Sequence, residues 1–158
     1  MAKFKMGVDV NPTSNIIVAR LTQDGTKANH LVDNDKGKLV KLAADSEYQL
    51  AAAGDRIEGC VVALEPATQD GYTIGSVKTN DRMVAICDGL QATPGTGTIV
   101  LGDYVVTGTV VAAGTALTTA GPKVCKATAQ TINFFSWRVI SLGAAGAVGD
   151  TCVIERVC

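Results

Sequence analysis

A glycine–aspartate pair recurs along this chain of 158 residues, at Gly54-Asp55, Gly102-Asp103 and Gly149-Asp150, and in reverse order at Asp24-Gly25, Asp70-Gly71 and Asp88-Gly89. Glycine takes positive φ without steric cost, and aspartate hydrogen-bonds its own turn backbone, so each pair marks a tight turn. β-forming residues follow: Cys60-Val61-Val62 after the first pair, Tyr104-Val105-Val106 after the second, Thr151-Cys152-Val153-Ile154 after the third. A chain punctuated in this way is committed to short strands. The densest stretch is Leu42–Ala63 (LAADSEYQLAAAGDRIEGCVVA), where a small apolar run, a turn, a glycine and a strand start follow in quick succession.

Reading outward, β-like segments occupy Ile16–Thr22, Leu39–Ala43, Tyr48–Leu50, Gly59–Leu64, Tyr72–Thr79, Met83–Cys87, Ile99–Leu101, Tyr104–Val111, Ala116–Thr118, Lys123–Thr128, Ile132–Leu142 and Thr151–Val157. Leu39–Ala53 also holds strong helix formers, but its apolar positions keep no 3.6-residue period, so strand–turn–strand is the better reading. Asp88-Gly89 is expected to end its strand in a turn. The expected fold is all-β: a single-domain β-sandwich or barrel of about ten short strands over residues 16–158, with an extended N-terminal arm at 1–15. Thr26–Lys38 reads as a connecting loop. Its Asp33-Asn34-Asp35 run lacks the Gly and Glu frame of a calcium loop, and a solvated turn is expected.

The chain is 47% hydrophobic, 18% charged and carries a formal net charge of -1. That leaves no basic field for nucleic acid. Between Gly89 and Ala129 only Asp103, Lys123 and Lys126 are ionisable, apart from Cys125 and Tyr104. A surface so poorly defended against association suits a protein packed against partners. No apolar run has the length of a membrane span, and none near the N-terminus has that of a signal peptide, so folding in a cytoplasm is expected. The cysteines (Cys60, Cys87, Cys125, Cys152, Cys158) are odd in number and form no CxxC pair. They are expected to pack as reduced, small hydrophobes, with the terminal Cys158 open to intermolecular pairing in an oxidising medium.

Catalytic and metal signatures are missing. His30 is the sole histidine, which argues against a zinc site or a nucleophile–His pair, and a surface position is expected for it. The carboxylates beside glycines are accounted for as turn residues, and the Thr93–Thr98 loop (TPGTGT) has no lysine or helix after it to cradle phosphate. No enzyme, cofactor or metal is expected. The Phe134-Phe135-Ser136-Trp137 cluster reads either as a stacking platform for a sugar or base, or, with little basic charge around it, as core or protein interface.

Gln49–Val61 and Asp70–Val77 together resemble the capsid decoration (cement) proteins of tailed bacteriophages, which commonly carry an A-x-L-A-A-A-G-D-x-I-x-G-V phrase and then a D-G-x-x-x-V turn and strand; here Cys60 stands between the glycine and the valine. Ala144–Val153 is a weaker echo. The resemblance covers roughly Leu39–Gly89. It implies a non-enzymatic virion protein on the outer capsid surface, assembled in the host cytoplasm, that bridges major capsid protein subunits as a homo-oligomer, with a trimer favoured. Interface residues expected on this basis are Lys3, Phe4, Lys5, Met6 and Val8 of the arm, and Phe134, Phe135 and Trp137. The alternative is a virion spike-base or glycan-binding β module.

Overall fold

The computed structural model describes residues 16–26, 28–44, 47–65, 71, 73–130 and 137–157. The arm residues Lys3, Phe4, Lys5, Met6 and Val8, together with Phe134, Phe135 and Cys158, lie outside the described residues. The described chain is all-β, with eleven strands in two sheets.

The first sheet is a closed barrel in the order β1-β3-β2-β4-β5, built from β1 (Ile16–Thr22), β2 (Leu39–Ala44), β3 (Glu47–Leu50), β4 (Gly59–Glu65) and β5 (Thr73–Lys78). β1 closes it, running parallel to β3 and antiparallel to β5. Period-two alternation turns Leu21, Val40, Val61 and Val77 inward, all essentially without solvent contact. Gly75 serves close approach: a Cβ there would lie 2.4 Å from Ala63 O and 2.6 Å from Leu21 Cδ1. The bulge between Val61 and Ala63 re-aims β4 beside it.

The second sheet runs β10-β11-β6-β9-β8, from β6 (Arg82–Leu90), β8 (Val105–Thr107), β9 (Lys123–Lys126), β10 (Trp137–Leu142) and β11 (Thr151–Arg156), with the short β7 (Thr93–Pro94) beside the end of β6. A bridge between Tyr104 and Arg138 joins the start of β8 back to β10, so this sheet also curls around its core. Ala85, Cys87, Val105, Val124, Trp137, Val139, Cys152 and Ile154 fill that core, and Leu39, Ala51 and Ile57 of the first half belong to the same cluster. The two halves therefore share buried apolar surface.

Some segments differ from expectation. β6 does not end at Cys87 but runs on through Asp88-Gly89 to Leu90 with a register shift, and Asp88 is buried. An Asp-Gly pair serves a bulge as well as a turn; here the carboxylate finds partners on the β8–β9 connection. Ile99–Leu101 and Ala116–Thr118 are not strands, and β8 stops at Thr107. Residues 108–122 form one long, irregular connection instead, without a charged side chain.

Candidate functional site

The three Gly-Asp pairs fold identically. In Ala52–Asp55, Val100–Asp103 and Ala147–Asp150 the third residue is a glycine at φ +84°, +86° and +94°. The aspartate N–H donates to the first residue's carbonyl at 3.0, 3.2 and 3.0 Å. Its carboxylate accepts the first residue's N–H at 2.8, 2.8 and 2.9 Å. This is a type II turn closed by its own side chain.

Each turn also grips one residue of a neighbouring strand. Gly54 N–H donates to Thr107 O (2.8 Å) while Thr107 N–H donates to Asp55 O (3.0 Å). Gly102 and Asp103 hold Val139 in the same way at 2.8 and 2.9 Å, and Gly149 and Asp150 hold Cys87 at 2.8 Å for both bonds. The first turn thus ties the barrel to β8. The phrase that carries the resemblance is, in physical terms, a clamp between the two halves.

A second tie converts an expected solvated turn into a buried ion pair. Asp35 and Lys38 are buried, with Nζ 2.6 Å from Oδ1. Asp35 also accepts N–H bonds from Val32 (2.9 Å) and from Gly114 (2.8 Å), and Lys38 donates to Ala112 O at 2.7 Å. Asn34 Nδ2 reaches Gly114 O at 2.9 Å. Asp33, Asn34 and Lys36 are solvent-exposed as expected, but Asp35 and Lys38 are not: their partners come from the uncharged 108–122 connection, far along the chain. Asp88 anchors the start of that connection, accepting Thr109 N–H at 2.7 Å and pairing with Lys123 at 3.3 Å. Burial works to raise the Asp88 carboxyl, but the bonds from Thr109 and the Lys123 charge outweigh it and hold it below the usual carboxylate range.

Between this connection and the barrel lies a cleft of about 180 Å³, walled by Lys38, Leu39, Leu50 and Ala51 on one side and by Thr107, Val110, Leu117 and Lys123 among others on the opposite side. Both ammonium groups are already paired, Lys38 to Asp35 and Lys123 to Asp88.

Trp137, expected as an interface residue, has no solvent exposure and packs in the core of the second sheet. It is not a surface side chain of the folded protein, nor a platform for a sugar. Its period-two partner Val139 is buried with it, as the spacing suggests. His30 is half-buried rather than on the surface; its backbone bridges Thr22, and its Nδ1 is enclosed without a hydrogen-bond partner. Cys87, Cys125 and Cys152 are buried free thiols and Cys60 is partly buried. Burial pushes Cys60 and Cys125 up to about 11, the Asp88 charge adding to the effect at Cys125. Burial also raises Cys152, with neighbouring Cys87 contributing. Among the described residues no cluster of His, Cys, Asp or Glu is arranged to hold a metal ion.

The most exposed aliphatic side chains are Leu101 (62%), Leu42 (55%) and Val100 (50%), and the strand residues Val84, Val18 and Val62 are exposed to about the same degree as Val110 and Val148 on the loops. Leu101 and Val148 occupy the same position, the tip before the glycine, in two of the clamped turns. Ile99 N–H donates to Gly146 O at 2.9 Å, which brings the loops bearing those turns together. The fold and these surfaces define an all-β protein of two linked, curled sheets with an aliphatic loop face. No protein-family model, curated protein or solved structure matches the chain.

Proposed function

We propose that this chain is a structural protein that binds the outer surface of a bacteriophage capsid and cements the shell by bridging major capsid protein subunits, acting as a homo-oligomer, with a trimer favoured. The observation that carries the reading is a neutral, aliphatic loop face. The three charged side chains between Gly89 and Ala129 are all paired, Asp103 with Lys126 at 3.0 Å and Lys123 with Asp88 at 3.3 Å, each partly exposed lysine meeting a buried carboxylate. What the segment offers to solvent includes Val100 and Leu101, and the Ile99–Gly146 bond sets their loop against the one bearing the exposed Val148. A rigid apolar face depleted of free charge has the character of an interface core. The Gly-Asp clamps supply the rigidity, and the same phrase supports the likeness to decoration proteins.

Cementing needs no catalytic residue. Many copies, each bridging two or more subunits, reinforce one another through effective concentration. Each bridge stabilises the assembled shell over free subunits by mass action. The test is to mix the purified protein with expanded, undecorated capsids and to follow co-sedimentation and resistance to heat or chelator. Binding is expected, with Leu101→Asp abolishing it at unchanged fold, since Leu101 projects from a turn tip. Absence of co-sedimentation would sink the reading; undiminished binding by Leu101→Asp would move the contact away from this face.

A further inference from the structure

We infer that the cleft between the barrel and the 108–122 connection is a binding site for a compact, uncharged, largely apolar molecule of benzene to indole size. This inference stands independently of the capsid reading. The cleft volume of about 180 Å³ is of the order that holds one such ring, since engineered apolar cavities of roughly 150 Å³ take up benzene. Leu39, Leu50, Ala51, Val110, Val111 and Leu117 supply aliphatic walls.

Charge decides the class of ligand. Lys38 is held by Asp35 at 2.6 Å and Lys123 by Asp88 at 3.3 Å, so an anion finds no unpaired cation and would have to displace a carboxylate. A cation would face two ammonium groups without a free carboxylate to meet it. A neutral apolar body meets neither penalty.

The cleft is also held open. An uncharged, aliphatic connection would ordinarily collapse onto the barrel to bury its own surface. Here Lys38 and Asp35 fix Ala112 O and Gly114 N–H, and Asp88 fixes Thr109 N–H, so the walls are anchored on both sides of Val110 and Val111. A buried ion pair is a poor general source of stability. Its placement under this connection gives it a use as a strut, and a preformed cleft spares a ligand the cost of ordering it.

The experiment is a titration of the methyl-labelled full chain with indole and toluene, followed by 13C–1H NMR, with benzoate and benzylamine as charged counterparts. Saturable shifts are expected at the methyls of Leu39, Leu50, Val110, Val111 and Leu117, with the charged compounds at least about tenfold weaker. Thr109→Trp puts a bulky ring at an exposed residue of the cleft lining and is expected to abolish the shifts. Leu117→Trp is the second blocking variant, and unchanged Val77 and Ile154 methyl signals report that either variant is folded. Three results would overturn the inference: no saturable shift at millimolar indole, shifts scattered over exposed valines such as Val84 and Val100, or benzoate or benzylamine binding as well as the neutral rings.

Discussion

Replacing Lys38 by methionine removes the ammonium that neutralises Asp35 while keeping most of the side-chain volume. The carboxylate left behind has no solvent exposure and retains only the Val32 and Gly114 N–H donors. Stripping one partner from a buried ion pair costs about 3–5 kcal/mol, because the remaining charge stays desolvated. Ala112 O loses one of its two donors but keeps the Thr115 N–H at 3.1 Å, so this loss adds little to the cost. For a domain of this size that corresponds to a fall in Tm on the order of 10 °C or more. The assay is equilibrium unfolding in urea followed by the fluorescence of Trp137, the sole tryptophan and a core residue, with circular dichroism as the second probe. Asp35→Asn and the Asp35→Asn/Lys38→Met double variant complete a cycle. With both charges gone the double variant is expected to be more stable than the two single losses would sum to, by about 2 kcal/mol or more. A loss under about 1 kcal/mol for Lys38→Met, or additivity within about 0.5 kcal/mol, would refute the strut.

Denaturant unfolding also ranks the clamps: Asp103→Ala, which strips a bond from Val100 N–H and a partner from Lys126, is expected to cost about 2–3 kcal/mol, against about 1 for Asp150→Ala, whose bond to Ala147 is exposed. Gly102→Ala, at φ +86° in open space, is expected to lose about 1–2 kcal/mol from backbone strain alone, and Gly89→Ala more, because its Cβ would sit 2.0 Å from Thr96 O. Iodoacetamide at pH 8 is expected to modify Cys125 and Cys152 at least about a hundredfold more slowly in the folded chain than in urea, as peptide mapping will show, since both thiols are buried and their ionisation is raised. Because Cys60 and Cys125 titrate higher folded than the ordinary thiol value of 9.0, their contribution to stability is full below that value and lost as pH rises toward about 11. Asp88 acts with the opposite sign. Its folded carboxyl lies below the ordinary 3.8, so its contribution is present above that value and is lost as pH falls through the folded value; Asp88→Asn is expected to flatten that part of an acid-unfolding curve.

The two kinds of tie in this molecule divide what was legible from what was not. Local turn chemistry was legible. The Gly-Asp pairs announced turns followed by strands, and β1 occupies the very span, Ile16–Thr22, that its β-branched run marks. A type II turn and its aspartate bond involve residues no more than three apart, so composition and spacing alone determine them. The all-β class follows from the same local grammar repeated along the chain, and reduced thiols packed as small hydrophobes follow from an odd cysteine count without a CxxC pair.

What a turn grips is a long-range fact. That Gly54-Asp55 holds Thr107, or that Gly149-Asp150 holds Cys87, depends on which strand tertiary packing brings alongside, and backbone hydrogen bonds carry no residue code to reveal it. Asp35 and Lys38 looked like members of a solvated loop because their local surroundings are polar. Only the 112–114 segment, more than seventy residues on, buries them and makes their pairing necessary. Trp137 likewise read as core or interface with equal chemistry, and the curl of the second sheet decided for the core. The sequence alone determined the all-β class, the three Gly-Asp turns and several strand spans; the closure of the barrel, the curl of the second sheet, the clamp between them and the neutral cleft beside it were decided by tertiary contacts between residues remote in the chain, whose free energy no local pattern records.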